Sequence, residues 1–306
     1  MGRVACLGEC MIELVERPDG TLTRGFGGDT LNTALYLARL GVPTDYVTAL
    51  GEDSFSDELL RAWRQEGIGT EAIPRLAGRL PGLYMIQTDA SGERRFHYWR
   101  DSAPVRQLFG LPQTAAIAAA LIASELVYLS GVTLSLFDAA GRELLFETLT
   151  AARRRGSRVA FDTNFRPRGW PDLQEARRVY DRMLRCADIV LAGVEDHALL
   201  HGSDDPAELA ARLTAAEVPE IVVKFAEPAC RVIAGGIDTI VPGMPVQQIV
   251  DTTAAGDSFA AGYIAARRGG ADAVAAAGAG HRLAAIVVRH RGAIIPRSAM
   301  PVPEAP

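Results

Sequence analysis

Short apolar runs and amphipathic stretches alternate along this chain. Nearly uninterrupted apolar runs at residues 4–7, 46–50, 126–129, 159–162, 189–192 and 221–224 each precede a segment with apolar residues three and four apart. Runs this short fit strands buried on both faces, and the longer period fits helices that lay one face on a core. The spacing predicts helices over 30–40, 57–66, 136–155, 172–186, 206–217 and 256–267, with Gly41 and Pro43 stopping the first and Gly67 the second. Such alternation predicts an α/β fold: a doubly wound, mostly parallel sheet with helices on both faces.

Two stretches break the rhythm. Residues 83–88 and 95–99 alternate around Asp89-Ala90-Ser91-Gly92, the pattern of a β-hairpin with Gly92 at positive φ. The segment 13–26 contains Pro18-Asp19-Gly20-Thr21, a second turn of the same kind. Together they predict a small β-sheet lid, formed by about 13–26 and 82–100, on a single domain spanning 1–306. The alanine-rich stretch 271–285 reads as a packing helix and the proline-rich end, 296–306, as a tail.

Composition narrows the partners. With 306 residues, 48% of them hydrophobic, the chain can fill a substantial core, so disorder is excluded. The net charge is −5 and no basic run exceeds the arginines at 153–155, so no footprint for nucleic acid or an anionic membrane is visible. A small molecule is the expected partner. The four cysteines, Cys6, Cys10, Cys186 and Cys230, lack paired spacing and read as small buried hydrophobes in a reducing compartment. The opening apolar run is interrupted by Glu9 and Glu13, and no segment supplies the roughly 20 apolar residues of a membrane span, so the expected location is the cytoplasm.

The chemistry concentrates at Ile249-Val250-Asp251-Thr252-Thr253-Ala254-Ala255-Gly256-Asp257-Ser258-Phe259, which leads from an extended segment into an apolar helix. Small residues at Ala254, Ala255 and Gly256 let backbone N–H groups converge where the helix dipole favours negative charge. An acidic residue there would repel a permanently bound anion. The conflict resolves if Asp257 takes a proton from a hydroxyl while a phosphoryl group passes over the amides. By spacing alone, Asp257 equally fits a carboxylate that merely complements the dipole.

This segment, DTTAAGDSFAAGY, resembles the second signature of the ribokinase-like (pfkB) family of sugar kinases, with Ala254 where most members carry glycine. Gly25-Phe26-Gly27-Gly28-Asp29-Thr30-Leu31-Asn32 resembles the first signature, and Phe161-Asp162-Thr163-Asn164-Phe165-Arg166-Pro167 the strand-end element of the same family. The resemblance runs from Cys6 to about Arg291. It implies a kinase using ATP and Mg2+, with Asp257 as base and the amides of Ala254, Ala255 and Gly256 as its oxyanion hole. It places Asn164, Lys224, Ala226, Thr252 and Gly256 against the nucleotide. Glu195 would orient water on the magnesium, and some members hold a monovalent cation, K+, near the position of Asp251. Relatives often form homo-oligomers through the lid.

Tyr98 and Arg100, two apart on a strand, project together, and Arg166 offers a second cation. A guanidinium suits a substrate carboxylate, which an ordinary hexose lacks. The lid element, the FDTNFR segment and the Ala254 variant all resemble the branch that phosphorylates the primary (6-) hydroxyl of 2-keto-3-deoxygluconate. The resemblance then implies that Gly27, Gly28, Asn32, Tyr84, Tyr98, Arg100 and Arg166 hold the sugar acid.

Lys224-Phe225-Ala226-Glu227-Pro228 departs from the family's glycine at position 226, and an alanine forced to positive φ there would be strained by about 1 kcal/mol or more. Another sugar such as fructose, a related keto-deoxy acid, or a catalytically silent sugar-acid sensor therefore stay as alternatives. A dinucleotide-dependent oxidoreductase is excluded by the single glycine after the first strand. His197 and His201 lack the intervening glutamate of a zinc motif and read as a solvated helix face.

Overall fold

The structure, a computed structural model, describes residues 2–17, 19–88 and 94–301. The expected turn at 89–92 with Gly92, Pro18 of the other turn, and the chain end at 302–306 lie outside the described residues.

The chain opens with β1 (Val4–Leu7), β2 (Met11–Glu16) and β3 (Leu22–Gly27), followed by α1 (Asp29–Arg39), β4 (Thr44–Val47), the short β5 (Leu50–Gly51) and α2 (Ser54–Gln65). Next come β6 (Arg75–Leu76), β7 (Gly82–Thr88), β8 (Arg94–Trp99), a 3-10 turn (Pro104–Gly110) and α3 (Thr114–Ala123). The middle holds β9 (Leu126–Ser130), α4 (Gly131–Leu136), α5 (Ala139–Arg154), β10 (Arg158–Asp162), α6 (Leu173–Cys186), β11 (Ile189–Gly193) and α7 (Val194–His201). The rest is α8 (Pro206–Ala215), β12 (Glu220–Lys224), β13 (Ala229–Ala234), β14 (Ile237–Pro242), α9 (Ala255–Arg268) and α10 (Ala273–Val287).

Eight strands form the main sheet in the order β14-β13-β12-β11-β10-β9-β1-β4. From β4 to β12 all neighbours are parallel, and β13 and β14 extend one edge as an antiparallel hairpin. Alternation along the strands feeds two cores: Val4, Cys6, Leu126 and Tyr128 face α1, α9 and α10, whereas Ala5, Leu7, Val127 and Leu129 face the opposite layer with α5 and α6. The chain runs from β1 to β4 on one side and later returns to β9 on the other. This reversal is the switch point where open α/β sheets bind ligands at their carboxyl ends.

The second sheet has four strands in the order β3-β2-β7-β8. Ile12, Leu14, Phe26 and Leu83 pack its base against the main core. Met11, Tyr84 and Ile86 form a separate apolar cluster with Val15 on its other face.

Three features were not legible from the apolar pattern. The predicted helix over 136–155 is broken, because Phe137 and Asp138 leave helical geometry and the Asp138 carboxylate caps α5 through the N–H of Gly141 at 2.8 Å. The β13–β14 hairpin was not predicted. Nor was α3, whose alanine-rich sequence is apolar all round and so shows no contrast between faces. Cys6, Cys10 and Cys230 are buried, Cys186 is half-buried, and all four are free thiols. Among the described residues no single helix is long and apolar enough to cross a membrane.

Helix α9 is anchored at its far end by Glu220, the first residue of β12. Its carboxylate accepts from Tyr263 at 2.7 Å, from Arg267 at 2.8 and 2.7 Å, and from Arg158 at 3.0 Å. Burial alone would raise this carboxyl, but the hydrogen bonds from Arg267 and Tyr263 and the charge of Arg158 hold it below the ordinary range. Its stabilisation is therefore present above the unfolded value near 4.5 and is lost as pH falls through the lower folded value. Glu220→Ala is expected to cost about 3–5 kcal/mol in urea unfolding at pH 7, because two arginines lose their partner, and the deficit should narrow in acid.

Candidate active site

The amino ends of α1 and α9 meet at the carboxyl ends of the central strands. Asn32, buried on α1, donates from Nδ2 to Oδ2 of Asp257 on α9 at 2.8 Å, and Thr33 donates to the Asp257 carbonyl at 3.2 Å. Asp29, in the first turn of α1, accepts from Nδ2 of Asn164 at 2.6 Å and from the N–H of Thr30 at 2.8 Å. Lys224, ending β12, donates to both oxygens of Asp162, ending β10, at 3.0 and 2.8 Å. A Cβ placed on Gly256 would lie 3.7 Å from Nζ of Lys224 and near nothing else outside its own helix, so the start of α9 opens toward that ammonium. Residues from the first and second signatures, the strand-end element and Lys224 are thereby brought together.

Electrostatics follow from this crowding. Asp257 is half-buried, yet ringed closely enough by protein that lost hydration, with the nearby Asp29 carboxylate, raises its carboxyl to about 8. The Asn32 amide and Lys224 oppose that rise, and Asp162 adds to it. Burial alone would lower the Lys224 ammonium, but Asp162 and the charges of Asp196 and Asp257 raise it above its ordinary value.

Backbone strain marks the same place. Ala254, the cap of α9, has φ 62° and ψ 17°, and Asn164 has φ 23°. Left-handed geometry costs a non-glycine residue about 1–2 kcal/mol, and such strain clusters at functional sites. The expected strain at Ala226 is absent, since its φ is not in the left-handed region; it falls on Ala254, the other position where the family's glycine is replaced. Ala226 and Thr252 are exposed.

The amide cradle differs in one member from expectation. The N–H of Ala255 donates to the Thr252 carbonyl at 3.1 Å, leaving Ala254, Gly256 and Asp257 as the amides without a partner among the described residues. The Asp251 carboxylate accepts from the N–H and hydroxyl of Thr253 at 3.0 and 2.7 Å and from the N–H of Gly292 at 2.9 Å, which staples the loop before α9.

At the lid, Tyr84 is buried and donates to Glu13, and its ring centroid lies 6.1 Å from that of Tyr98. Burial and the Glu13 charge hold the Tyr84 phenol far above its ordinary value. A Cβ on Gly27 would come within 2.8 Å of the Tyr84 hydroxyl, and one on Gly28 within 2.1 Å of the Glu9 carbonyl. Arg100 stands 5.9 Å from the Tyr98 ring and forms an ion pair with Glu9, a partner the sequence did not suggest.

Other expected residues are placed differently. Arg166 is exposed and bonds to the Phe165 carbonyl at 2.8 Å, with Asp196 at 3.4 Å. Glu195 is exposed, and the inward carboxylate of that turn is Asp196, which accepts from Thr163 at 2.7 Å and the N–H of Phe165 at 3.0 Å. His197 is buried, with His201 half-buried 4.9 Å away between ring centroids, so the expected solvated face is a packed one; burial lowers both imidazoles, His201 to about 4. Among the described residues no group of three metal-ligating side chains forms. Glu9, Asp29 and Asp196 were overlooked, although a carboxylate interrupting the first apolar run was a signal that Glu9 must serve some purpose.

Residues 1–300 match the family model described as pfkB family carbohydrate kinase. The chain is 46% identical over 305 residues to a 2-dehydro-3-deoxygluconokinase of Dickeya dadantii, covering 97% of this chain and 98% of the relative. It is 44% identical over 306 residues to the protein of that name from Escherichia coli K12, covering 98% and 99%. The crystal structure of a fructokinase with bound ATP from Xylella fastidiosa superposes with a TM-score of 0.84 at 25% identity, covering 98% of this chain and 95% of that one.

Gly28 tests how tightly the site is built. Its φ of 172° suits any residue, so the constraint is space alone. Gly28→Ala is expected to lose about 2–3 kcal/mol in urea unfolding and most sugar binding, because the Glu9 carbonyl must move.

Proposed function

Because the chain belongs to the pfkB family of carbohydrate kinases, we propose that it transfers the γ-phosphoryl group of ATP to the 6-hydroxyl of 2-keto-3-deoxygluconate. The observation that carries the mechanism is the hydrogen bond between Asn32 and Asp257, which joins segments 225 residues apart. It holds Oδ2 of the carboxylate and leaves Oδ1 to take the proton of the attacking hydroxyl. Charge developing on the phosphoryl oxygens would meet the unpartnered amides of Gly256 and Asp257 and the Lys224 ammonium beside them. Oδ1 of Asn32, buried and without a donor, suits a sugar hydroxyl.

Arg100, beside the ring of Tyr98, favours a sugar acid over fructose, because a carboxylate matches a guanidinium and a neutral hexose does not. Arg166, at the strand end and exposed, can swing in as a second cation. Mg2+ fits as an ion carried on the nucleotide phosphates and water, with Asp162 and Asp196 as nearby acceptors; bound there it would neutralise phosphate charge. The carboxylate of Asp251, already serving three hydrogen bonds, favours a loop staple over a K+ ligand. Trp99, 59% exposed beside His97 on the edge strand β8, suits cover by a second copy in a homo-oligomer.

An ADP-release assay with 2-keto-3-deoxygluconate, its galactonate epimer, fructose, ribose and adenosine tests the substrate; turnover of fructose alone would overturn the reading. Asp257→Asn should lower kcat about 10²–10⁴-fold. The base must be ionised to act, so kcat/KM should fall about tenfold per unit as pH drops from 7 to 5, below the value near 8. A flat profile would exclude Asp257.

The same carboxyl makes a stability prediction. Its raised value means that its stabilising protonated form is fully populated below the unfolded value of 3.8, and the contribution is lost as pH rises toward 8. Asp257→Asn should therefore raise the melting temperature by a few degrees at pH 8 (about 4 °C for each 1–2 kcal/mol) while removing activity.

A further inference from the structure

One buried ion pair has no part in the phosphoryl transfer described above. Glu9, in the turn after β1, is 3% exposed. Its close partner is Arg100, whose Nη2 meets Oε2 in an ion pair. Nε and Nη2 of Arg100, the edge of a guanidinium that grips a carboxylate with two prongs, are buried at the same contact. Gly82 makes room for the pair: a Cβ there would lie 2.9 Å from Oε1 of Glu9 and 3.1 Å from Cβ of Arg100. Taking both charges out of water is costly and their attraction often only offsets that cost, so stability alone is a weak reason for the pair.

The charged and titratable groups around Glu9 come from several elements. Arg100 follows β8 and Arg106 lies in the 3-10 turn after it; both favour the Glu9 anion. Asp29 on α1 opposes it. The Cys10 thiol beside it and the Tyr46 phenol on β4 are pushed well above their ordinary values by burial and stay neutral. Burial holds the Glu9 carboxyl up at about 7 even with both arginines present.

We propose that Glu9 is the internal counter-ion of Arg100 and takes up one proton from solvent when a substrate carboxylate arrives at that guanidinium. The inference rests on the sugar-acid reading above. A second carboxylate neutralises the charge that keeps Glu9 ionised, and burial then favours the acid form. The balance is simple: ionised Glu9, the sugar-acid anion and a proton give protonated Glu9 with the anion on Arg100. A neutral sugar brings no charge and moves no proton. Glu9 is a positioning residue: it holds the guanidinium in the empty site and never touches the sugar.

Calorimetry of 2-keto-3-deoxygluconate binding, in buffers of differing ionisation heat between pH 6 and 9, reads the proton directly. The Asp257→Asn background removes the other carboxyl that titrates in this range. The expected result is uptake rising from about half a proton at pH 7 toward one by pH 8.5, with Kd weakening more steeply with pH over that range, up to about tenfold per unit. Adding Glu9→Gln should abolish the uptake and flatten the profile. Absence of uptake in the Asp257→Asn protein, which needs no change at Glu9, overturns the proposal, as does uptake unaltered by Glu9→Gln. In both cases the substrate reading stands. Failure to bind the sugar acid at any pH, with fructose turned over by the unaltered protein, overturns the substrate reading and this proposal together.

Discussion

Three carboxylates, Asp29, Asp162 and Asp257, share one small region with a single ammonium, Lys224, and the architecture around them is arranged to make that tolerable. Asp162 takes the ammonium in two hydrogen bonds. Asp29 is met by an amide from Asn164 and a backbone N–H. Among the described residues Asp257 receives the Asn32 amide alone; burial raises both Asp162 and Asp257, and Asp257 reaches about 8. A carboxyl in that condition accepts a proton readily, as a base near neutral pH must. Burial and the neighbouring Asp29 charge give Asp257 the character that the base proposed above requires.

That arrangement needs backbone that ordinary helices and strands do not supply. Ala254 and Asn164 sit in left-handed or near-left-handed geometry on opposite sides of the cluster, one starting α9 and the other leaving β10. Their combined cost is of the order of 2–3 kcal/mol. It is offset by anchors set away from the chemistry, of which the Glu220 network at the far end of α9 is the clearest. Rigid ends and a strained beginning keep the start of the helix aimed at Lys224.

The lid adds a second group of polar and charged side chains. Its strands place Glu13, Tyr84 and Tyr98 side by side, Arg100 follows the last strand, and Glu9 rises from the main domain to pair with Arg100. On the proposed function, recognition of the sugar carboxylate falls to the lid and phosphoryl transfer to the main domain, joined through the glycines at 27 and 28 and helix α1.

The sequence by itself determined the class of fold, because buried strand runs and amphipathic helices have periods that survive any tertiary context, and it marked Asp257 and Asn32 through resemblance to a known signature. It could not show that Phe137 and Asp138 interrupt a continuous apolar pattern, since a capping carboxylate competes with helix propensity only once its turn has formed. Nor could it assign the strain to Ala254 and not to Ala226, because φ depends on where the chain must go next. Above all, the pairing of Glu9 with Arg100, and of Asp29 with Asn164, joins residues 91 and 135 positions apart. Such contacts exist only when the sheets are assembled, and electrostatic energy depends on distance in space, which no spacing along the chain specifies.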